Sequence, residues 1–337
     1  MAAAVARDGR HVTPPPPADE DAAATLEREL LGGPRRFTRR EVAERSGVPL
    51  DRARLLWRAL GFADLDDDNV AFTDRDVEAL EAVQSLLARG LIDAETQLAM
   101  TRAMGQTLAR LAEWQVSTLT RALGREPGGP EATVAAAAHE LVPVMERLLG
   151  YVWRRQLVAG AGRALANLEE LDAHTLAVGF ADMVGFTSLT RHVDEEELAT
   201  LIDRFEAAAF DVVAELGGRI IKTVGDEVMF VADSASAGAE IALTLVERAG
   251  AEDHLPDLRV GLAHGAVLAR LGDVYGEPVN IASRLTSLAR PGSVLVDREL
   301  AAALEEAEGY RLRRVPPRPV SGYTLLHSFR LRRSEDR

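Results

Sequence analysis

The spacing of apolar positions divides the chain near residue 171. Before that point the period is helical. Thr38 is placed to cap a short helix through Ala43, Ser46-Gly47-Val48-Pro49 reads as a turn, and Leu50 to Leu60 reads as a second helix. Helix, Gly-containing turn and helix is the helix-turn-helix order. After an acidic loop, Phe72 to Leu80 leads into another helix. Ile92 to about Leu123 is helical, with Met104, Leu108 and Leu111 on one face, and Pro127-Gly128-Gly129-Pro130 ends it. Leu141, Val144, Leu148 and Val152 mark one more long helix that runs towards Leu171, with Gly160 and Gly162 as weak points. The pattern predicts an all-α domain over residues 25–170, its apolar stripes forming core and a dimer seam. Residues 1–24 are Ala/Pro/Asp-rich, with Pro14 to Pro17 in a row, and predict a disordered tail.

From residue 171 to 337 the period changes. Thr175 to Ala181 reads as a buried strand ending at Asp182. A helix opens at Asp194 with three Glu in its first turn and stops at Gly217-Gly218. Ile220 to Phe230 is two β-branched runs around Gly225-Asp226, a hairpin pattern. A helix from about Ser234 to Arg248 follows, then a strand or strand pair over Leu258 to Arg270 and a helix starting near Pro278. A strand at Ser293 to Asp297, a helix to Glu305 and two short strands complete the domain. Strand, helix, hairpin, helix and strand is the βαββαβ order of a ferredoxin-like α+β sheet.

Composition narrows the function. A net charge of −14 disfavours a general nucleic-acid or polybasic membrane binder. The absence of cysteine excludes disulfides, thiolate zinc sites and a thiol nucleophile. No apolar run is long enough to span a membrane and no signal pattern opens the chain, so a soluble, cytoplasmic protein is expected. The segment around the helix-turn-helix resembles the DNA-binding domain of MerR-type regulators. Residues 36–98 nevertheless hold nine Arg against thirteen Asp and Glu, a local net of 9 − 13 = −4, which argues against a DNA reader. Arg52, Arg54 and Arg58 are the residues that would support one.

The candidate chemistry lies in the second half. Lys222 is the only lysine among 39 basic residues, which marks a position that needs a compact amine. Phe180-Ala181-Asp182-Met183-Val184-Gly185-Phe186-Thr187 ends a strand in a carboxylate, followed by a turn whose amides can face an anion. Asp226 adds a carboxylate at the hairpin tip, and two such groups are the hard oxygen ligands of Mg2+ or Mn2+. In Asp273-Val274-Tyr275-Gly276-Glu277-Pro278-Val279-Asn280-Ile281-Ala282-Ser283-Arg284, Glu277-Pro278 suits a first helical turn, so Asn280 and Arg284 share one face.

Together these stretches, in this order and spacing, resemble the catalytic domain of class III adenylate cyclases from about Leu176 to Arg330. The resemblance implies two metal ions per site on Asp182 and Asp226. It implies an adenine-selecting pair in Lys222 and Asp273, and a transition-state pair in Asn280 on the ribose and Arg284 near the α-phosphate. Gly185, Phe186 and Thr187 belong to the expected substrate-binding turn. Its reaction is ATP to 3′,5′-cyclic AMP and pyrophosphate. Because the family draws its metal ligands from one subunit and the other residues from its partner, it also implies a homodimer with two complete sites. A family lysine that touches the terminal phosphates is replaced here by Ser321, with Arg314 or Arg318 as substitutes. The helical half is similar in length and helicity to regulatory domains of bacterial soluble cyclases that respond to pH or fatty acids. His139, His174 and His192 suit a pH response, and a lipid or other small-molecule effector is the other expectation. The competing reading is a DNA-binding transcription regulator that uses the cyclase-like half as a nucleotide sensor.

Overall fold

The structure is a computed structural model that describes residues 19–63, 65–123, 130–167, 174–252, 254–270, 272–320 and 322–334. Contacts divide the chain into two compact units, Met1–Arg163 and Ala164–Arg337.

The first unit is helical: α1 (Asp19–Leu31), α2 (Arg39–Ser46), α3 (Leu50–Leu60), α4 (Asp74–Ala88), α5 (Ala94–Leu123) and α6 (Pro130–Asn167). Thr38 and Glu41 form a capping box that starts α2, and Gly47 ends it in the left-handed conformation at φ 68°. The helix therefore runs three residues past Ala43. α2 to α4 enclose a small core of Val42, Val48, Ala53, Leu56, Trp57, Phe72 and Leu80, closed by a β-bridge between Phe37 and Phe72. α1 begins at Asp19, inside the tail expected over residues 1–24. The rest of the expected tail, residues 1–18, lies outside the described residues. α6 also passes through Gly160 and Gly162 to Asn167.

Two of the arginines that would support DNA binding are engaged inside this unit. Arg54 pairs with Asp51 and Asp67, and Arg52 donates to Gln97 and the Ala94 carbonyl. Among the described residues no helix is long and apolar enough to cross a membrane.

The second unit is built on β1 (His174–Met183), β2 (Arg219–Val224), β3 (Glu227–Ala232), β4 (Leu258–Arg270), β5 (Asp273–Tyr275), β6 (Ser293–Val296), β7 (Tyr310–Val320) and β8 (Tyr323–Arg333). Its helices are α7 (Phe186–Leu189), α8 (Glu195–Glu215), α9 (Ala235–Ala251), α10 (Glu277–Leu288) and α11 (Arg298–Ala303). The sheet order is β2-β3-β1-β4-β6-β8-β7, with β5 paired to β4. Its first four strands, joined as β1-α8-β2-β3-α9-β4, pair antiparallel and give the expected ferredoxin-like arrangement. β4 and β6 are parallel, and the terminal pair β7–β8 is 11 residues a side, longer than its sequence suggests. Pro316, Pro317 and Pro319 in β7 mask a strand that bulges at that point.

Each face of the sheet has its own core. Ala177, Ala181, Val228, Phe230 and Leu262 face Phe205, Val212 and Ile241 of α8 and α9. Leu176, Val178, Phe180, Met229 and Val231 face the opposite way, with Ala282 of α10 among them. Gly261 decides how closely α10 approaches. A Cβ there would lie 2.2 Å from the Thr286 amide nitrogen and 2.4 Å from the Ala282 carbonyl oxygen. Thr286 Oγ1 completes the clamp, donating to the Phe180 and Ala282 carbonyls at 3.2 and 2.9 Å.

Candidate active site

The first group of polar residues is a row across three strands. Asp182 of β1 lies directly opposite Glu227 of β3 and Arg259 of β4. Residues opposed in an antiparallel pair share a face, and the alternation places this row on the face that carries Phe180 and Met229. Arg259 Nε donates to Asp182 Oδ2 at 2.5 Å. Met183 N donates to the Asp226 carbonyl at 3.1 Å, which ties the hairpin tip to the end of β1. Gly225 precedes Asp226 at φ 62°, a left-handed conformation that favours glycine.

These carboxylates burden one another. Burial raises the Asp182 pKa, Arg259 opposes the shift, and Asp226 adds to it through charge and a shared hydrogen bond. Glu227 is pushed up to about 7 by burial first and then by the charges of Asp182 and Asp226. Among the described residues there is no group of three or more His, Asp or Glu that could hold a metal ion. Mg2+ and Mn2+ do not require one, since one or two carboxylates together with water and substrate phosphates are enough. The all-oxygen donor set of Asp182 and Asp226 fits these ions.

The second group is a single contact. Lys222 Nζ on β2 donates to Asp273 Oδ2 at the start of β5 at 2.6 Å, and Asp273 Oδ1 accepts from Val274 N at 2.8 Å. Lys222 stands opposite Met229, so it shares the sheet face of Asp182. Its side chain is 39 % exposed, within reach of a ligand.

The third group is on α10. Asn280 and Arg284 are both exposed, one turn apart, on a helix fixed by the Gly261 contact. Tyr323 at the start of β8 senses the same place: burial and then Glu277 raise its pKa, and Arg284 opposes them. No hydrogen bond or ion pair among the described residues joins Asn280 or Arg284 to the carboxylate row.

Gly185, at φ 78°, opens the four-residue helix α7, and Phe186 and Thr187 supply its first-turn amides. Ser321 lies outside the described residues. Arg318 is exposed, and Arg314 stands 3.5 Å from His327 Nδ1. Sequence reasoning missed Arg259 and gave Glu227 no role. The signal for each was a charged residue on an otherwise apolar strand, Glu227 before Val228-Met229-Phe230 and Arg259 before Val260.

Comparison with known proteins gives a consistent picture. Residues 169–332 match the adenylate and guanylate cyclase catalytic domain, and residues 21–159 match the adenylate cyclase regulatory domain. The chain is 46 % identical over 308 residues to an adenylate cyclase of Streptomyces coelicolor (strain ATCC BAA-471 / A3(2) / M145), covering 88 % of this chain and 80 % of that one. It is 35 % identical over 314 residues to a pH-sensitive adenylate cyclase of Mycobacterium tuberculosis (strain CDC 1551 / Oshkosh), covering 88 % and 78 %. A solved adenylyl cyclase structure from P. aeruginosa is 22 % identical, with a TM-score of 0.43 over 49 % of this chain and 96 % of that one.

Proposed function

The chain belongs to the class III adenylate cyclases, and from that premise we propose that it converts ATP to 3′,5′-cyclic AMP and pyrophosphate at sites completed by two copies of the chain. The observation that carries this reading is one sheet face that holds Asp182 and Lys222, with Asp226 tied to its edge through Met183 and α10, bearing Asn280 and Arg284, packed over it.

In this reaction the ribose 3′-oxygen attacks the α-phosphorus. One O–P bond forms, the bond to the bridging oxygen of pyrophosphate breaks, and the 3′-hydroxyl proton passes to water. Asp182 and Asp226 would hold Mg2+ or Mn2+, two ions per site, which lower the hydroxyl pKa and offset phosphate charge when bound. Asp182 Oδ2, which accepts from Arg259 Nε, would exchange this partner for the ion when one is bound. Lys222 and Asp273, bonded to each other, would receive the base. Adenine accepts at N1 and donates from its amine, which suits one ammonium and one carboxylate. Guanine presents the reverse pattern and would leave both groups unpaired. Asn280 orients the ribose, and Arg284 stabilises charge at the α-phosphate. The amides of Phe186 and Thr187 face the phosphates.

Asn280 and Arg284 project from α10 with no hydrogen bond or ion pair to the carboxylate row among the described residues, which supports a symmetric homodimer. The helical unit is proposed to regulate catalysis in response to pH, a lipid or another small molecule. A cytoplasmic setting belongs to the same reading, where ATP is supplied. DNA binding is not favoured, because Arg52 and Arg54 are held within the helical unit. The direct test incubates the purified full chain with manganese and ATP and follows cyclic AMP and pyrophosphate, with Asp182→Ala and Asp226→Ala as controls. Equal release of both products by the wild type, and none by the variants, is expected. Absence of cyclic AMP from a dimeric preparation would overturn the proposal.

A further inference from the structure

α10 is held on two sides. One side rests on the sheet at Gly261. On another, Leu285 and Ala289 share a core cluster with Leu326 of β8, and Val320 and Tyr323 pack against that cluster. Val320 pairs with Tyr323 across the turn of the β7–β8 hairpin, so the Tyr323 ring stands where the hairpin meets the helix. Of these residues Tyr323 is the one with a polar end.

That end faces a stripe of functional groups. Glu277, Asn280 and Arg284 follow one another along α10 at spacings of three and four, and the first and last are two turns apart, about 10 Å along the axis. The charges of Glu277 and Arg284 both act on the Tyr323 phenol, with opposite effects, which places the hydroxyl beside the stripe. Arg284 has no ion-pair partner among the described residues. The helix therefore fixes where Arg284 starts and leaves its guanidinium free to sample many rotamers.

We propose that Tyr323 is a positioning residue for Arg284: its phenol oxygen accepts from the guanidinium while its hydrogen is directed to Glu277, which selects one orientation of the arginine before substrate arrives. A hydroxyl suits this place because it donates and accepts at once. Burial and then Glu277 raise the phenol pKa above its ordinary value, so it keeps the proton it must donate. Tyr323 touches no reacting atom in this arrangement. Its effect comes from rotamer freedom that Arg284 no longer has to lose in the transition state, worth on the order of tenfold in rate. The proposal rests on the assignment of Arg284 to the α-phosphate.

Steady-state kinetics with manganese and ATP on four full-length proteins test it: wild type, Tyr323→Phe, Arg284→Ala and the double variant. Tyr323→Phe keeps the ring, and so the packing on α10. It should lower kcat about tenfold and leave KM within about twofold, because the interaction it supports is made in the transition state. Arg284→Ala should lose about a hundredfold in kcat. Adding Tyr323→Phe to Arg284→Ala should change kcat no further, since residues that act through one another are not additive. A mere fold defect would carry over into the Arg284→Ala background and multiply the loss, so the cycle decides even if the hydroxyl also affects stability. Wild-type kcat in Tyr323→Phe, or losses that multiply in the double variant, would overturn the proposal and leave the cyclase reading intact. No cyclic AMP from the wild type, or undiminished turnover by Arg284→Ala, would instead remove the assignment of Arg284, and the proposal with it.

Discussion

At the scale of single residues, the candidate site was legible wherever chemistry is carried by residue type. Lys222 stood out because every other positive side chain is Arg, and Asp182 and Asp226 because each carboxylate follows a strand or turn signal. Glu227 and Arg259 were not legible, because their importance comes from register: they meet Asp182 only when β3 and β4 pair with β1. Glu227 gives a stability prediction. Its pKa of about 7 lies above the ordinary 4.5, so the folded state binds the proton more tightly. The associated stability is fully present below pH 4.5 and is lost as pH rises through 7. Glu227→Gln should therefore be more stable than wild type at pH 8 in EDTA, by on the order of 1–3 kcal/mol, and equal to it at pH 4. Urea unfolding at the two pH values measures this, and equal stability at pH 8 would remove the burial argument. Lys222 offers a second check. Lys222→Glu with Asp273→Cys should lose ATP turnover by at least a hundredfold, and ATP should protect the lone lysine from acylation in the wild type. Turnover that survives the double change would mean that the pair does not read the base.

At the scale of elements, the sequence read well where a cap or a breaker stands at each end. Thr38, Asp194 and Ser234 each cap the helix their position suggested. It read poorly where competing signals overlap. The start of α1 at Asp19 is hidden behind the proline run, and β7 contains three prolines that argue against a strand. Gly261 shows how one backbone position controls an element. It gives no sequence signal beyond a glycine inside an apolar strand, yet α10 rests on it, and with α10 the positions of Asn280 and Arg284. Gly261→Val should destabilise the protein by about 1–3 kcal/mol through overpacking. It should lower kcat by more than it raises KM, because a helix displaced by about 1 Å misaligns transition-state contacts. Thermal unfolding and steady-state kinetics provide the measurements; wild-type stability and kcat would mean that α10 is not clamped there.

At the scale of the whole molecule, the change of period from 3.6 to alternation suggests a boundary near residue 171, while contact between elements divides the chain at Arg163 and Ala164. How the units act on each other was not legible, because such coupling depends on surfaces rather than on periodicity. Subunit sharing can be examined by mixing. Asp182→Ala and Asn280→Ala, each inactive alone, should regain up to about a quarter of wild-type activity when exchanged, since half of random dimers are mixed and each mixed dimer has one intact site. No recovery after demonstrated exchange would mean that each chain works alone.

Regulation is the remaining question at this scale, and histidine is the side chain whose ordinary pKa lies in the physiological range. His139 Nδ1 lies 3.2 Å from Glu29 Oε2, a contact between α6 and α1 inside the helical unit. His192 is occupied differently, its Nδ1 lying 2.8 Å from the Ser188 carbonyl beside α7. The side chain of His174 and the acidic residues 169, 170 and 172 lie outside the described residues. A response to acid that arises in the helical unit must disappear with it, whereas one that arises at His192 must persist. The comparison is between the full chain and a chain beginning at Ala164, both dimeric at the assay concentration. The expected outcome is higher activity of the shorter chain at neutral pH and a flatter profile between pH 5.5 and 8, with His139→Gln shifting the full chain towards the same profile. If the two profiles superimpose at equal activity, the helical unit does not restrain catalysis and its buried core must serve another purpose.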